Sequence, residues 1–234
     1  MAHHIKNDED ISKDFENDVT FYETNNGEIK SKLLDYINLA IKKGYSHDDI
    51  QVIAPMYSGI NGIDNLNIVL QEYFNPPSEF KNELKLGSIV YREGDRILQL
   101  KNQNEDGVYN GDIGTLISIE KNEDKVKGNK LIVDYDDNLV EYSNGDFVNI
   151  RHAYCISVHK SQGSEYPLII APFSYNYQRM LAKNLIYTAI TRARRKLVLI
   201  GDYNSFIYGK NNCKYQKRYT TLKEKIIERV NKIF

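Results

Sequence analysis

At 234 residues, 41% hydrophobic and 27% charged, the chain has material for one large soluble domain or one domain with a small insertion. With 31 Lys and Arg against 32 Asp and Glu, its formal net charge of −1 excludes a polycation that coats nucleic acid through its overall field. Any such contact must come from local patches. Cys155 and Cys213 lie far apart without metal-ligand spacing and read as reduced thiols of a cytoplasmic protein. No apolar run reaches the roughly 18 residues of a membrane helix, and Met1 to His4 opens no signal-peptide stretch.

Taken in chain order, the polar and acidic start (Asn7 to Glu9, Asp14 to Asp18) predicts a flexible segment over residues 1–27. From Glu28 to Lys43, Ile29, Leu33, Leu34, Ile37, Ala40 and Ile41 recur at helical spacing, and Gly44 ends the run. Ile50 to Pro55 reads as a short apolar strand stopped by proline. A glycine-containing turn over Gly59 to Asp64 leads to a second helix through Leu66, Leu70 and Phe74, closed by Asn75-Pro76-Pro77.

The texture changes near Lys85. Arg96–Leu100, Ile113–Ile119, Leu131–Tyr135 and Leu139–Tyr142 are β-type runs. Turn signals separate them: Asp106-Gly107, Asn110-Gly111, Lys127-Gly128-Asn129 and Asp136-Asp137-Asn138. They predict a small antiparallel barrel over residues 86–151. After Arg151 strands alternate with helices again: strands at Tyr154–Val158, Leu168–Ala171 and Lys196–Ile200, helices at Gln178–Ile190 and Leu222–Ile233. That alternation favours an α/β fold with a parallel sheet, split into residues 28–85 and 152–234 around the barrel.

Three stretches carry candidate chemistry. Ser157-Val158-His159-Lys160-Ser161-Gln162-Gly163-Ser164-Glu165 follows a strand directly. It is expected to set hydroxyl, imidazole and backbone N–H groups at the carboxyl edge of the sheet, where ligands bind in open α/β sheets. Asn184 to Lys196 ends a helix and holds Arg192, Arg194 and Arg195. A solvated helix end explains such a cluster through the helix dipole, and a phosphate contact explains it through the planar, permanently charged guanidinium. Ile53 to Asn67, strand then glycine-containing loop then helix, is weak alone. The tyrosines Tyr91, Tyr109, Tyr135 and Tyr142 of the barrel either stack bases or pack the core.

Together and in this order, the stretches resemble superfamily 1 helicases of the RecD/TraA-like branch. Ala54 to Asn67 is similar to motif IV, Ser157 to Glu165 to motif V, and Tyr187 to Arg192 to motif VI. Gly94-Asp95-Arg96 with Asn110-Gly111-Asp112-Ile113-Gly114 resembles a segment of that branch's inserted barrel. The resemblance implies the second RecA-like lobe, the helicase C-terminal lobe, interrupted by a barrel of the Src-homology-3 type. It further implies an ATP-dependent 5′-to-3′ DNA helicase like the exodeoxyribonuclease V alpha subunit. Arg192 would be the arginine finger, Gly163 and Glu165 would lie by the nucleotide, and Ser157, His159 and Lys160 would contact single-stranded DNA. One departure stands out: relatives often carry a basic residue after Met-Tyr in motif IV, and here Ser58 stands there.

No Gly-x-x-x-x-Gly-Lys-Ser/Thr occurs, nor a strand ending in paired acidic residues. Phosphoryl transfer needs a loop that cradles the phosphates and a magnesium ligand. ATP and Mg²⁺ are therefore expected to be shared with a first motor lobe outside this chain, and the chain alone is expected to be inactive. The competing expectation is a non-catalytic module that binds single-stranded DNA or a protein.

Overall fold

The computed structural model describes residues 1–7, 9, 18–122, 128–143, 145–178, 180–212 and 221–230. After α1 (Ala2–Lys6) and β1 (Val19–Glu23), α2 (Ile29–Lys42) forms because Ile29, Leu33, Ile37 and Ala40 share one face, which is buried. Gly44, at φ +93°, ends it by leaving the helix in the left-handed region. Next come β2 (Ile50–Ala54) and α3 (Ile63–Phe74).

The insertion follows: a hairpin of β3 (Glu83–Leu86) and β4 (Ile89–Arg92), then β5 (Arg96–Gln99), β6 (Ile113–Glu120), β7 (Lys130–Tyr135), β8 (Asn138–Tyr142) and β9 (Ile150–His152). The chain then returns through β10 (Cys155–Ser157), β11 (Tyr166–Phe173), α4 (Lys183–Ile190), β12 (Ala193–Gly201), α5 (Tyr203–Asn211) and α6 (Leu222–Val230).

The first sheet is wholly parallel, in the order β1-β12-β11-β2-β10. Every residue of β2 is buried, as a sheet covered on both faces demands. Along β12 the two-residue period sorts the side chains. Leu197 and Leu199 join Ile53, Ile169, Ile186 and Phe206 on one face, whereas Val198 and Ile200 join Val52, Leu33 and Leu66 on the other. The second sheet is antiparallel, β8-β7-β6-β5-β9, and shares a separate core with the hairpin through Leu84 and Tyr91.

A buried carboxylate fastens this insertion to the parallel-sheet core. Asp95, fully buried, accepts through Oδ2 from Gln71 Nε2 (2.7 Å), the Arg92 backbone N–H (2.7 Å) and His152 Nε2 (3.0 Å). Its Oδ1 accepts from Asn75 Nδ2 (2.8 Å) and the Tyr154 hydroxyl (3.0 Å). Burial alone would raise the Asp95 pKa. The hydrogen bond and charge of His152, then the Asn75 and Arg92 donors, outweigh it and hold the carboxyl below its ordinary range.

Several expectations change. The flexible segment over 1–27 is corrected: β1 is an edge strand paired with β12, and Ile5 is fully buried in the same core as Ile186 and Ala189. Residues 8 and 10–17 lie outside the described residues. The helix expected from Gln178 begins only at Lys183, because Ser174 Oγ accepts from the Asn176 N–H to cap a 3-10 turn (Tyr175–Tyr177) and Ala182 is extended. Leu84 places the hairpin in the barrel core, so the insertion starts ahead of residue 86. The last expected helix is seen to Val230, and its remainder lies outside the described residues. Among the described residues no helix is long and apolar enough to cross a membrane.

Candidate nucleotide and nucleic-acid site

Ser157 ends β10 at the carboxyl edge of the parallel sheet, mostly buried. Its carbonyl accepts the backbone N–H groups of Lys160 (3.0 Å) and Ser161 (3.2 Å), and the Ser161 hydroxyl donates to the Val158 carbonyl (2.8 Å). These bonds close a tight turn. Gly163 leaves it at φ +90° with open space where a side chain would stand, so its conformation rather than crowding calls for glycine. His159 is exposed. Lys160 reaches back to the insertion, where its ammonium donates to the Leu100 carbonyl (3.3 Å) and to Asn110 Oδ1. Burial there lowers its pKa from the ordinary lysine value.

The turn does not stay at that edge. Tyr166, the first residue of β11, is level with Ala193, the first of β12, so Ser164 and Glu165 stand at the amino edge. The expectation that the whole stretch lies at the carboxyl edge is corrected. Because β10 and β11 both run parallel to β2, the chain must double back past the sheet before β11 begins, and with β10 only three residues long the path is short.

At the amino edge Arg192 leaves α4 and joins the two stretches. Its Nε donates to the Thr188 carbonyl (3.3 Å), Nη1 to the Ser164 carbonyl (3.2 Å) and Nη2 to Thr191 Oγ1 (3.2 Å). The Tyr166 N–H donates to the Arg192 carbonyl (2.9 Å). All of these side-chain acceptors are neutral, and among the described residues no carboxylate pairs with the guanidinium. Arg194, by contrast, pairs with Glu165 at 3.0 Å, both exposed. Beside this edge an open cleft of about 840 Å³ is lined by Asp48, Asp112, Asp134 and Asp136 along with Arg96 and Tyr166. So many carboxylates repel phosphate from this cleft, whose lining includes Arg96 but not Arg192.

The loop from Pro55 to Gly62 is built by backbone contacts. The Ile63 N–H donates to the Met56 carbonyl (2.9 Å) and Asp64 N–H to the Tyr57 carbonyl (3.1 Å). A Cβ on Gly62 would lie 2.4 Å from the Ser58 and Tyr57 carbonyl oxygens, so glycine is required. Ser58 is exposed. A residue that sequence reasoning missed stands beside it: Arg151 of β9 lies over the Tyr57 ring, 5.6 Å from its centroid, and pairs with Asp64 at 3.0 Å. No local pattern signals this contact, because it links residues far apart in sequence.

Among the barrel tyrosines the packing reading holds for three. Tyr91, Tyr135 and Tyr142 are 2%, 7% and 0% exposed. The Tyr142 hydroxyl donates to Gln99 Oε1 (2.7 Å) and Tyr91 to the Ile150 carbonyl (3.2 Å). Among the described residues, no group of three or more His, Cys, Asp or Glu is placed to hold a metal ion.

Residues 66–135 match the family described as the ATP-dependent RecD-like DNA helicase SH3 domain, and residues 152–200 the UvrD-like helicase C-terminal domain. Over 157 residues the chain is 33% identical to the ATP-dependent RecD2 DNA helicase of Deinococcus radiodurans, covering 67% of this chain and 21% of that protein. It is 29% identical over 213 residues to the RecBCD enzyme subunit RecD of Buchnera aphidicola subsp. Acyrthosiphon pisum, covering 81% and 33%. A Bacteroides Pif1 helicase solved with ADP-AlF3 and ssDNA aligns at a TM-score of 0.46 and 16% identity, covering 96% of this chain and 56% of that one. The chain thus spans between 18% and 33% of the length of the first curated relatives it matches.

Proposed function

We propose that this chain, which matches a RecD-like helicase SH3 domain over residues 66–135 and a UvrD-like helicase C-terminal domain over residues 152–200, is the second motor lobe of an ATP-dependent 5′-to-3′ DNA helicase. In this reading a first lobe, outside this sequence, supplies the phosphate-binding loop and the magnesium ligands. The lobe comprises β1, α2, β2, α3 and the elements from β10 onward, and β3 to β9 form the inserted barrel.

The observation that carries the proposal is Arg192. Its guanidinium is fixed by neutral acceptors on both stretches, Ser164 on one and Thr188 and Thr191 on the other, with no carboxylate paired to it among the described residues. A planar cation held in that way suits the charge that develops on a phosphoryl group in transfer, and it needs little reorganisation. Gly163 and Glu165 border the nucleotide, and Glu165 exchanges its present partner Arg194 to do so. Ser157, His159 and Lys160 meet the backbone of single-stranded DNA from the other side of the turn. ATP supplies the transferable phosphoryl group, with Mg²⁺ held by the first lobe.

Arg192→Ala tests this in the polypeptide that joins both lobes. Nucleotide affinity should stay nearly unchanged while hydrolysis slows by roughly 10³–10⁵, the worth of an arginine finger. Wild-type turnover would reduce Arg192 to a helix-end hydrogen bonder.

A further inference from the structure

Three of the four barrel tyrosines are core, and the fourth is not: Tyr109 is 52% exposed. It stands in the loop between β5 and β6, and that loop is pinned. The Tyr109 N–H donates to Asp112 Oδ2 (2.8 Å), the Asn110 N–H to Asn102 Oδ1 (2.9 Å) and the Gly111 N–H to the Gln99 carbonyl (2.9 Å). Val108 beside it is buried in the barrel core, and Gly111 turns the chain at φ +109°. A ring presented from so ordered a backbone loses little freedom when something packs on it.

What lies next to the ring gives the contact its chemistry. Asn110, the following residue, accepts from the Lys160 ammonium, which also holds the Leu100 carbonyl at the start of the same loop. Exposed Lys101 lies there too. A π-face and a cation are therefore attached to adjoining stretches of surface, the combination with which proteins hold single strands irrespective of sequence. Glu105, Asp106 and Asp112 in this loop disfavour a phosphate close to Tyr109, so the ring's share is a base.

We propose that Tyr109 is a base-stacking residue for single-stranded DNA, and that the barrel loop 101–112 forms part of the strand's track beside Lys160. This rests on the DNA contact proposed for Lys160 and adds a residue and a surface to it.

The chain contains no tryptophan, so Tyr109→Trp installs a single tryptophan at the point in question, excited selectively at wavelengths where tyrosine does not absorb. Oligo-dT should quench it, with the same midpoint that anisotropy of a labelled oligo-dT reports. Tyr109→Phe should bind like wild type. Tyr109→Ala should bind about 5- to 150-fold more weakly, the range for one stacked base. Its dependence of log affinity on log salt should not change, since no charge is lost. With an abasic oligonucleotide the alanine variant and wild type should become equal.

Salt-dependent binding that Lys160→Ala flattens, together with an unquenched tryptophan and an undiminished Tyr109→Ala variant, would overturn the stacking role alone. If wild-type chain binds no oligo-dT at any salt concentration, both this inference and the DNA contact of Lys160 fall.

Discussion

An ammonium that donates to a backbone carbonyl and an amide oxygen, as Lys160 does to Leu100 and Asn110, has already lost part of its hydration. Exchanging these neutral acceptors for a phosphate therefore costs less desolvation than it would for a free surface lysine. If two or three backbone phosphates are met in all, log affinity for oligo-dT should fall with log salt at a slope of roughly −1.5 to −2. Lys160→Ala should flatten this slope by up to about 0.7, whereas Ser157→Ala removes a neutral hydroxyl and should weaken binding with the slope intact. Anisotropy across a salt series reads both, and a slope indifferent to Lys160 removes it from the DNA contact. The two arginines nearby differ in the same physical terms. Arg194 is spent on an exposed pair with Glu165, worth under about 1 kcal/mol. Arg194→Ala should therefore change folding and turnover only modestly, where Arg192→Ala stops hydrolysis.

Between elements, the Asp95 carboxylate gathers donors from α3 and its C-cap Asn75, the end of β4, β9 and the Tyr154 hydroxyl, so one charge ties together much of the junction that seats the barrel. Asp95→Ala strands these donors in a dry junction and should destabilise by roughly 3–5 kcal/mol, seen as a lowered midpoint in urea. Because the folded pKa is depressed, the stabilisation is complete above the ordinary carboxyl pKa of about 4 and is lost as pH falls through the lower folded value. The gap in melting temperature between wild type and Asp95→Asn should accordingly narrow on acidification and be widest near neutrality. None of this junction was legible in the sequence, since its partners are scattered from Gln71 to Tyr154. The elements it joins were easier to read. β2 is continuously apolar, α2 repeats its apolar face every three to four residues, and β7 and β8 are closed by Asp136 and Asp137, both at positive φ. β1 escaped notice because Val19 to Glu23 follows an acidic stretch and pairs on one side only. The candidate residues were legible as strings, but the edge of the sheet each occupies was not. That depended on β10 and β11 running parallel, which obliges the short connection between them to return to the amino edge.

For the molecule as a whole, the decisive quantity is what the chain can do unaided. In-line phosphoryl transfer needs backbone N–H groups around the β- and γ-phosphates, a lysine among them and a carboxylate or hydroxyl for magnesium. The sequence has no loop of that pattern. What it offers is a cation at the amino edge of a parallel sheet and, on the far side of the same turn, groups fit for a nucleic-acid backbone. An arginine finger stabilises charge that appears during transfer; it neither binds the ground state tightly nor orients the attacking water by itself. The purified chain should therefore release no phosphate from ATP at millimolar concentration, with or without oligo-dT, in a malachite-green assay. Mixing it with a polypeptide that carries the phosphate loop should restore turnover only if the two lobes dock, and restored turnover should vanish with Arg192→Ala. Hydrolysis by the chain alone that persists through stringent purification and disappears in the Arg192→Ala variant would mean that the phosphate cradle lies within these 234 residues, and the shared-site reading would have to be abandoned.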